Sequence, residues 1–173
     1  YLSGQLADAA TYWSRLKAQV PQDLQVRAKL VQVYEALQDP GARDAEREGL
    51  LALYDERKAD PKTPANYCRD QFVVGDRAVQ AFENFEFGGD MAVRYTFYVF
   101  RPGEERPSYS ISLGSYATTN QYMRERGQLQ PGERLFHLDE YRPGGAHRSL
   151  GFFKGEPPYD AVKKAVQDVL RQT

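Results

Sequence analysis

The chain has 173 residues, 41% of them hydrophobic and 13% aromatic, which is enough apolar material to build a core. Lys and Arg number 23 against 24 Asp and Glu, so the net charge of -1 argues against a nucleic-acid-binding protein, which usually has a basic excess. The longest apolar runs fall well short of the roughly 20 residues of a membrane-spanning helix, so no membrane span is predicted in this chain.

The first predicted element is a helix that ends before Pro21. Ala9, Trp13 and Leu16 stand at positions i, i+4 and i+7, which places them on one helix face. Pro21 cannot donate the next backbone hydrogen bond and therefore ends the helix. Gly4 is predicted to form the tight turn out of a preceding helix.

This spacing of Gly4, Ala9, Trp13 and Pro21 resembles the second helix of a tetratricopeptide repeat, whose unit has about 34 residues. The next repeat fits more loosely, since Leu30 and Tyr34 match it but Arg27 and Val31 replace its Trp and Gly. The resemblance covers residues 1 to about 60. It implies the C-terminal end of a helical array that continues before Tyr1 and binds a protein or peptide partner. An ordinary three-helix cap is the alternative interpretation.

A domain boundary is predicted in residues 56–66, ERKADPKTPAN, where two prolines stand among charged and small residues. We divide the chain into a helical segment at 1–60, a linker at 61–66 and a second domain at 67–173. Beyond the linker the apolar residues alternate with a period of two, which is typical of strands.

Two strands are predicted to pair at residues 91–100 and 108–115. Placing Phe100 opposite Ser108 brings Phe97 opposite Ile111 and Tyr95 opposite Leu113, which puts large apolar side chains on one side. A preceding strand is expected at residues 78–87. Its apolar residues change face between Phe82 and Phe85, which predicts a β-bulge near Glu83 and Asn84.

A second hairpin is predicted around the loop RPGGA at residues 142–146. Its expected cross-strand pairs are Tyr141 with His147, Glu140 with Arg148, Leu138 with Leu150, and Phe136 with Phe152.

Two helices complete the second domain. A short one is predicted from a Thr119 cap to Gly127, and a C-terminal one carries an apolar stripe of Val162, Ala165 and Val166 together with Val169. The predicted order is β-β-β-α-β-β-α. The fold class is therefore α+β, with the last helix packed on an antiparallel sheet.

Three residues near the second hairpin are candidate metal ligands or catalytic groups: His137, Asp139 and His147. In the predicted register His137 and Asp139 share a face, but His147 lies about 15 Å from His137 at roughly 3.3 Å per residue. Metal ligands must converge within about 2 Å of one ion, so no metal and no cofactor is predicted.

A hydrolase site is the alternative function, with Cys68 as an additional candidate beside the same histidines and Asp139. Cys68 is the single cysteine, so it has no internal disulfide partner, and it lacks a known nucleophile motif around it. Asp139 and Glu140 point to opposite faces of a strand and cannot share a proton.

The preferred binding surface is the outer face of the first hairpin, where Arg94, Thr96 and Tyr98 lie opposite Ser110 and Ser112. Aromatic rings between hydroxyl groups suit a peptide, a glycan or a small ligand. An ordinary solvated sheet face is the alternative. We therefore predict a non-enzymatic interaction or scaffold protein, in which a helical-repeat end precedes a partner-binding α+β domain.

Overall fold

The computed structural model describes residues 3–173, whose contacts divide the chain into two compact units between Gln71 and Phe72. The first unit contains helices α1 (Ser3–Gln19), α2 (Leu24–Ala36) and α3 (Pro40–Arg57). No helix within the described residues is long and apolar enough to cross a membrane.

Aspartates begin two of the three helices. The Asp23 carboxylate accepts hydrogen bonds from the Gln25 and Val26 amides, and Asp39 accepts one from Ala42. Each carboxylate thereby satisfies backbone amides that have no partner inside the helix. The fully buried side chains between the helices are those of Leu30, Val31 and Leu50.

Helix α1 ends at Gln19, which confirms a helix end before Pro21. Gly4 was expected to form a tight turn, and that expectation is wrong because Gly4 lies inside the first turn of α1. Ala9, Trp13 and Leu16 are all partly buried, as residues on one packed helix face should be. The resemblance to a tetratricopeptide repeat stays a prediction.

The remaining elements form a six-stranded sheet in which each strand lies beside its neighbour in the chain. The strands are β1 (Asn66–Val74), β2 (Arg77–Asn84), β3 (Met91–Phe100), β4 (Tyr109–Tyr116), β5 (Leu135–Tyr141) and β6 (His147–Lys154). Helix α4 (Ala117–Glu125) separates β4 from β5, and helix α5 (Tyr159–Arg171) follows β6. The predicted α+β class with an antiparallel sheet is confirmed.

Strand β1 was missed in the sequence. Its buried positions include Arg69 and Asp70, which are 4% and 3% exposed. Charged residues at buried positions hide the apolar alternation from which strands are recognised. The division between the two units falls inside this strand, later in the chain than the proline-rich segment.

Helix α5 and one face of the sheet build the core of the second unit. Val162 and Val166 are fully buried, and they pack with Phe97 and Ile111 of the central strands. The rings of Phe97 and Tyr159 stack with centroids 6.2 Å apart and planes 12° apart. The predicted packing of the last helix on the sheet is confirmed.

The register between β3 and β4 follows the predicted pairing over most of its length. Phe97 pairs with Ile111 and Tyr95 pairs with Leu113. On the N-terminal side of Tyr95 the register shifts by one residue. Arg94 is the extra residue, and Val93 pairs with Gly114. After Arg94 the odd-numbered residues of β3 face the core, whereas before this β-bulge an even-numbered residue does so. Ala92 is therefore 2% exposed, while Met91 is 67% exposed.

No bulge occurs at the predicted place near Glu83 and Asn84. The pairing of β2 with β3 runs without a shift from Ala78 opposite Phe100 to Glu83 opposite Tyr95. Glu83 is fully buried on the core side, so Phe82 lies on the other side without any bulge. The sequence pattern was misread because a carboxylate occupies a core position.

The second hairpin also contains a bulge that the sequence did not reveal. Tyr141 pairs with His147 and Glu140 with Arg148, as predicted. Past the register shift, Leu138 pairs with Gly151 and Phe136 with Phe153, so the predicted pairs with Leu150 and Phe152 are wrong. Leu150 is the extra residue.

Helix α4 begins earlier than its predicted cap at Thr119. It starts at Ala117, and Asn120 inside it is 4% exposed. The Asn120 side chain donates to Ser115 Oγ and accepts from the Leu135 amide, which ties the helix to β4 and β5. These tertiary hydrogen bonds position the helix.

We expect Gly114→Ala to destabilise the fold by about 1–3 kcal/mol, because a Cβ there would lie 2.9 Å from the Ala92 carbonyl oxygen at the bulge. Urea denaturation of the variant measures the loss. Gly88→Ala is the matched control, since a Cβ at Gly88 meets nothing within 4 Å. Equal stability of the two variants would show that the bulge tolerates a side chain.

Candidate functional site

The face of the sheet opposite α5, here called the outer face, brings together four of the five predicted binding residues: Thr96, Tyr98, Ser110 and Ser112. Thr96 pairs with Ser112, and Ser112 pairs in turn with Asp139. In the next row Tyr98 pairs with Ser110, and Ser110 pairs with Tyr141. The hydroxyl-rich surface predicted on β3 and β4 therefore continues directly into the candidate carboxylate on β5.

Arg94 does not belong to this surface. Its Nε lies 2.7 Å from Glu156 Oε1, and its guanidinium lies 4.4 Å from the centre of the Phe87 ring. Phe87 stacks on Phe136, which belongs to the core side of the sheet. The bulge at Arg94 therefore turns this side chain away from the position that strand alternation predicted.

Asp139 lies on the outer face but is only 4% exposed. Its Oδ2 accepts a hydrogen bond from the Tyr116 hydroxyl at 3.3 Å, and its Oδ1 lies 3.5 Å from His147 Nε2. The structure thus brings together Asp139 and His147, a contact that sequence reasoning did not identify. The reason is that His147 pairs with Tyr141, one diagonal step from Asp139 on the neighbouring strand.

Tyr116 is a site residue that sequence reasoning missed. Its hydroxyl lies 3.0 Å from the Tyr141 hydroxyl, in addition to its hydrogen bond to Asp139. Burial, followed by the interactions with Tyr141 and the charge of Asp139, raises the pKa of Tyr116 above its ordinary value. The Tyr116 hydroxyl has one proton, which it donates to Asp139. Tyr141 is therefore the donor in the hydrogen bond between the two tyrosine hydroxyls. Tyr116 lies on the same face of β4 as Ser110 and Ser112, because an even number of residues separates them. This spacing is the sequence signal that could have identified Tyr116.

Five ring side chains form a contiguous group that includes both side-chain contacts of Asp139, and we call them the aromatic arc: Tyr116, His137, Tyr141, His147 and Phe152. Neighbouring ring centroids are 5.4 Å apart for Tyr116 and His137, 6.3 Å for His137 and Phe152, and 5.1 Å for Tyr141 and His147. The arc is open to solvent at its rim, where Phe152 is 69% exposed and the His147 side chain 52%. A buried carboxylate therefore contacts two members of this partly exposed group, Tyr116 and His147.

His137, the third candidate group, lies on the same face two residues before Asp139 and opposite Phe152. Its Nε2 atom is buried and has no hydrogen-bond partner among residues 3–173. A buried ring nitrogen without a partner is uncommon in folded proteins and needs an explanation.

Cys68 lies in β1, and its sulfur contacts the Asp70 carbonyl and the Gln71 side chain. Burial raises the pKa of this thiol, which outweighs the opposing effects of Gln71 and Lys29. Because the thiolate is the reactive form, these surroundings do not activate Cys68 as a nucleophile.

Glu140, next to Asp139 in the chain, lies on the opposite face, as strand alternation requires. It is 3% exposed and is bound by Arg142 at 2.8 Å and by Arg148 at 3.3 Å. Burial alone would raise the pKa of Glu140, but the two arginines more than offset it, so this pKa lies below its ordinary value. Two adjacent carboxylates are therefore held in different ways.

Within the described part of the chain, no three His, Cys, Asp or Glu side chains are grouped as a metal ion would require. No protein-family model, curated protein or solved structure matches the chain.

We expect Glu140→Gln to lower the free energy of unfolding at neutral pH by about 1–2 kcal/mol, because it removes charged hydrogen bonds to Arg142 and Arg148. Since the pKa of Glu140 is lower in the folded chain, its contribution is present above pH 4.5 and is lost as pH falls below that value. Urea titrations between pH 3 and pH 7 should show the wild type and the variant converging in acid.

Glu125→Gln, which removes the same charge from an exposed helix position, should change stability little at any pH. A constant difference between the wild type and Glu140→Gln across this range would contradict the assigned pKa direction.

Proposed function

We propose that this chain is a non-enzymatic interaction protein whose α+β domain binds a protein or peptide partner on the outer face of its sheet. The helical segment at residues 1–60 would be the end of a tetratricopeptide-like scaffold that presents this domain. The observation that carries the proposal is the continuous row of Thr96, Ser112 and Asp139, in which a buried carboxylate extends a hydroxyl surface.

The composition of this face supports binding better than simple solvation. A solvated sheet face is usually covered by long charged side chains, whereas this one carries serines, a threonine and tyrosines. Tyrosine provides a large contact area with little rotamer entropy to lose, and short hydroxyls donate or accept as a partner requires. Tyr98 also packs edge-on against Phe82 at 5.6 Å, which holds its ring in place before any ligand arrives.

The extent of the surface favours a protein or peptide. Its rows cross β3, β4 and β5, and the pairing of Tyr141 with His147 carries it onto β6. Neighbouring strands are about 4.8 Å apart, so the surface is roughly 15 Å wide. That width matches several residues of a bound chain, although a glycan or a small ligand would find the same hydroxyls and rings.

A hydrolase is the second candidate, and one contact favours it. A histidine beside a buried carboxylate, as in His147 and Asp139 at 3.5 Å, provides two of the three members of a catalytic triad. The missing part is a nucleophile: Ser112 Oγ donates to Thr96 Oγ1, and no serine hydroxyl in the described residues hydrogen-bonds to His147. The pair therefore supports binding more directly than catalysis.

We expect Ser110→Lys to reduce the recovery of partners about tenfold or more, because a long cation there would obstruct the outer face. The test uses the whole chain as bait in lysate of its source organism, with captured proteins quantified by mass spectrometry. Gln121→Lys is the matched control, since it adds the same charge to an exposed position of α4. Thermal melting verifies that both variants fold.

Equal recovery by wild type, Ser110→Lys and Gln121→Lys would overturn the assignment of binding to this face. For the second candidate, hydrolysis of activated p-nitrophenyl esters that disappears in His147→Ala would favour the hydrolase instead.

A further inference from the structure

Asp139 has more capacity to accept hydrogen bonds than the described residues use. An ionised carboxylate offers about four acceptor positions. This one is 4% exposed, and it accepts one hydrogen bond of 3.3 Å from Tyr116, with His147 Nε2 at 3.5 Å. Buried charges are normally paired and fully hydrogen-bonded. The positions left open on Asp139 therefore indicate a ligand that brings donors.

His137 independently indicates a ligand at the same place. Its Nε2 is buried and unpartnered within the described chain, and it lies on the same strand face as Asp139, roughly 7 Å away along the strand. In the neutral tautomer that carries its proton on Nδ1, Nε2 is an acceptor. One ligand with several donors would satisfy both residues.

The surroundings select a cation. The Asp139 carboxylate contacts the Tyr116 hydroxyl and His147 Nε2 of the aromatic arc, and ring faces attract cations. The two arginines of the second hairpin, Arg142 and Arg148, are bound to Glu140 on the opposite face. They therefore do not neutralise Asp139.

We propose that Asp139 and the aromatic arc form a subsite for the guanidinium group of an arginine side chain on the protein partner. A guanidinium is planar, stacks on rings and carries five donors in a rigid fork. Two of these donors bind the Asp139 carboxylate and another reaches His137 Nε2. A lysine ammonium is a compact point charge without a planar fork, so it neither stacks on rings nor pairs with a carboxylate through two parallel donors as a guanidinium does. This inference rests on the proposed function and names the group that the outer face recognises.

Access to Asp139 is through the rim of the arc. Phe152 is 69% exposed and lies edge-on to His137, while Tyr141 is 38% exposed beside His147. Exposed side chains change rotamer on the picosecond to nanosecond timescale, so these rings can move aside without any change in the strands. The arginine then replaces the long contact between His147 and Asp139.

The test is an NMR titration of the whole ¹⁵N-labelled chain with the blocked peptide acetyl-Gly-Ser-Arg-Ser-Gly-amide. We expect saturable shifts centred on the amides of residues 137–141. The same peptide with citrulline, which keeps the shape but has no charge, should bind about tenfold or more weakly. This comparison uses only the wild-type chain, so it does not depend on whether a variant folds.

Asp139→Asn should reduce affinity for the arginine peptide by a similar factor, whereas Asp168→Asn should leave it unchanged. Asp168 is the matched control because it is a carboxylate of α5 that pairs with Lys164 and Arg171. Equal binding of the arginine and citrulline peptides, or no binding of either, would overturn the subsite. Equal binding of free N-acetyl-arginine-amide and of the peptide would overturn the assignment to a protein partner.

These outcomes are distinguishable from failure of the proposed function. If Ser110→Lys abolishes capture of partners while the arginine and citrulline peptides bind equally, the outer face binds a partner but the guanidinium subsite is wrong. If Ser110→Lys has no effect on capture, the proposed function itself fails.

Discussion

The packing of α5 on one face of the sheet is the constraint from which the rest of the second unit follows. Val162 and Val166 are fully buried against Phe97 and its neighbours, so that face of the central strands must be apolar. Because successive strand residues point to opposite sides, the intervening residues lie on the other face. The same alternation that builds the core therefore leaves Thr96 and Ser112 available for binding.

Two bulges then decide which side chains reach this surface. The extra residue Arg94 in β3 directs its guanidinium to Glu156 and Phe87, so a charge that strict alternation would place on the outer face is absent from it. The extra residue Leu150 in β6 brings Phe152 opposite His137. Bulges commonly re-aim side chains near functional sites, and here one removes a charge while the other supplies a ring.

The two carboxylates of β5 illustrate how burial and pairing separate chemically identical groups. Glu140 is held by two arginines, which makes it a structural ion pair at the hairpin. Asp139 has a tyrosine hydroxyl and a histidine at long distances instead. A carboxylate whose charge is satisfied contributes stability, whereas one with unfilled acceptor positions favours binding a cation. This contrast is the physical basis for placing recognition at Asp139.

The sequence by itself determined the α+β class, the helix end before Pro21, the amphipathic last helix and the register that pairs Phe97 with Ile111. These features depend on local periodicity and turn residues, which a single chain displays directly. Only the tertiary structure revealed β1 and the bulges. In those places charged residues such as Arg69, Asp70 and Glu83 occupy buried positions, or one inserted residue shifts a register. Both effects depend on partners from distant parts of the chain, which local spacing does not encode.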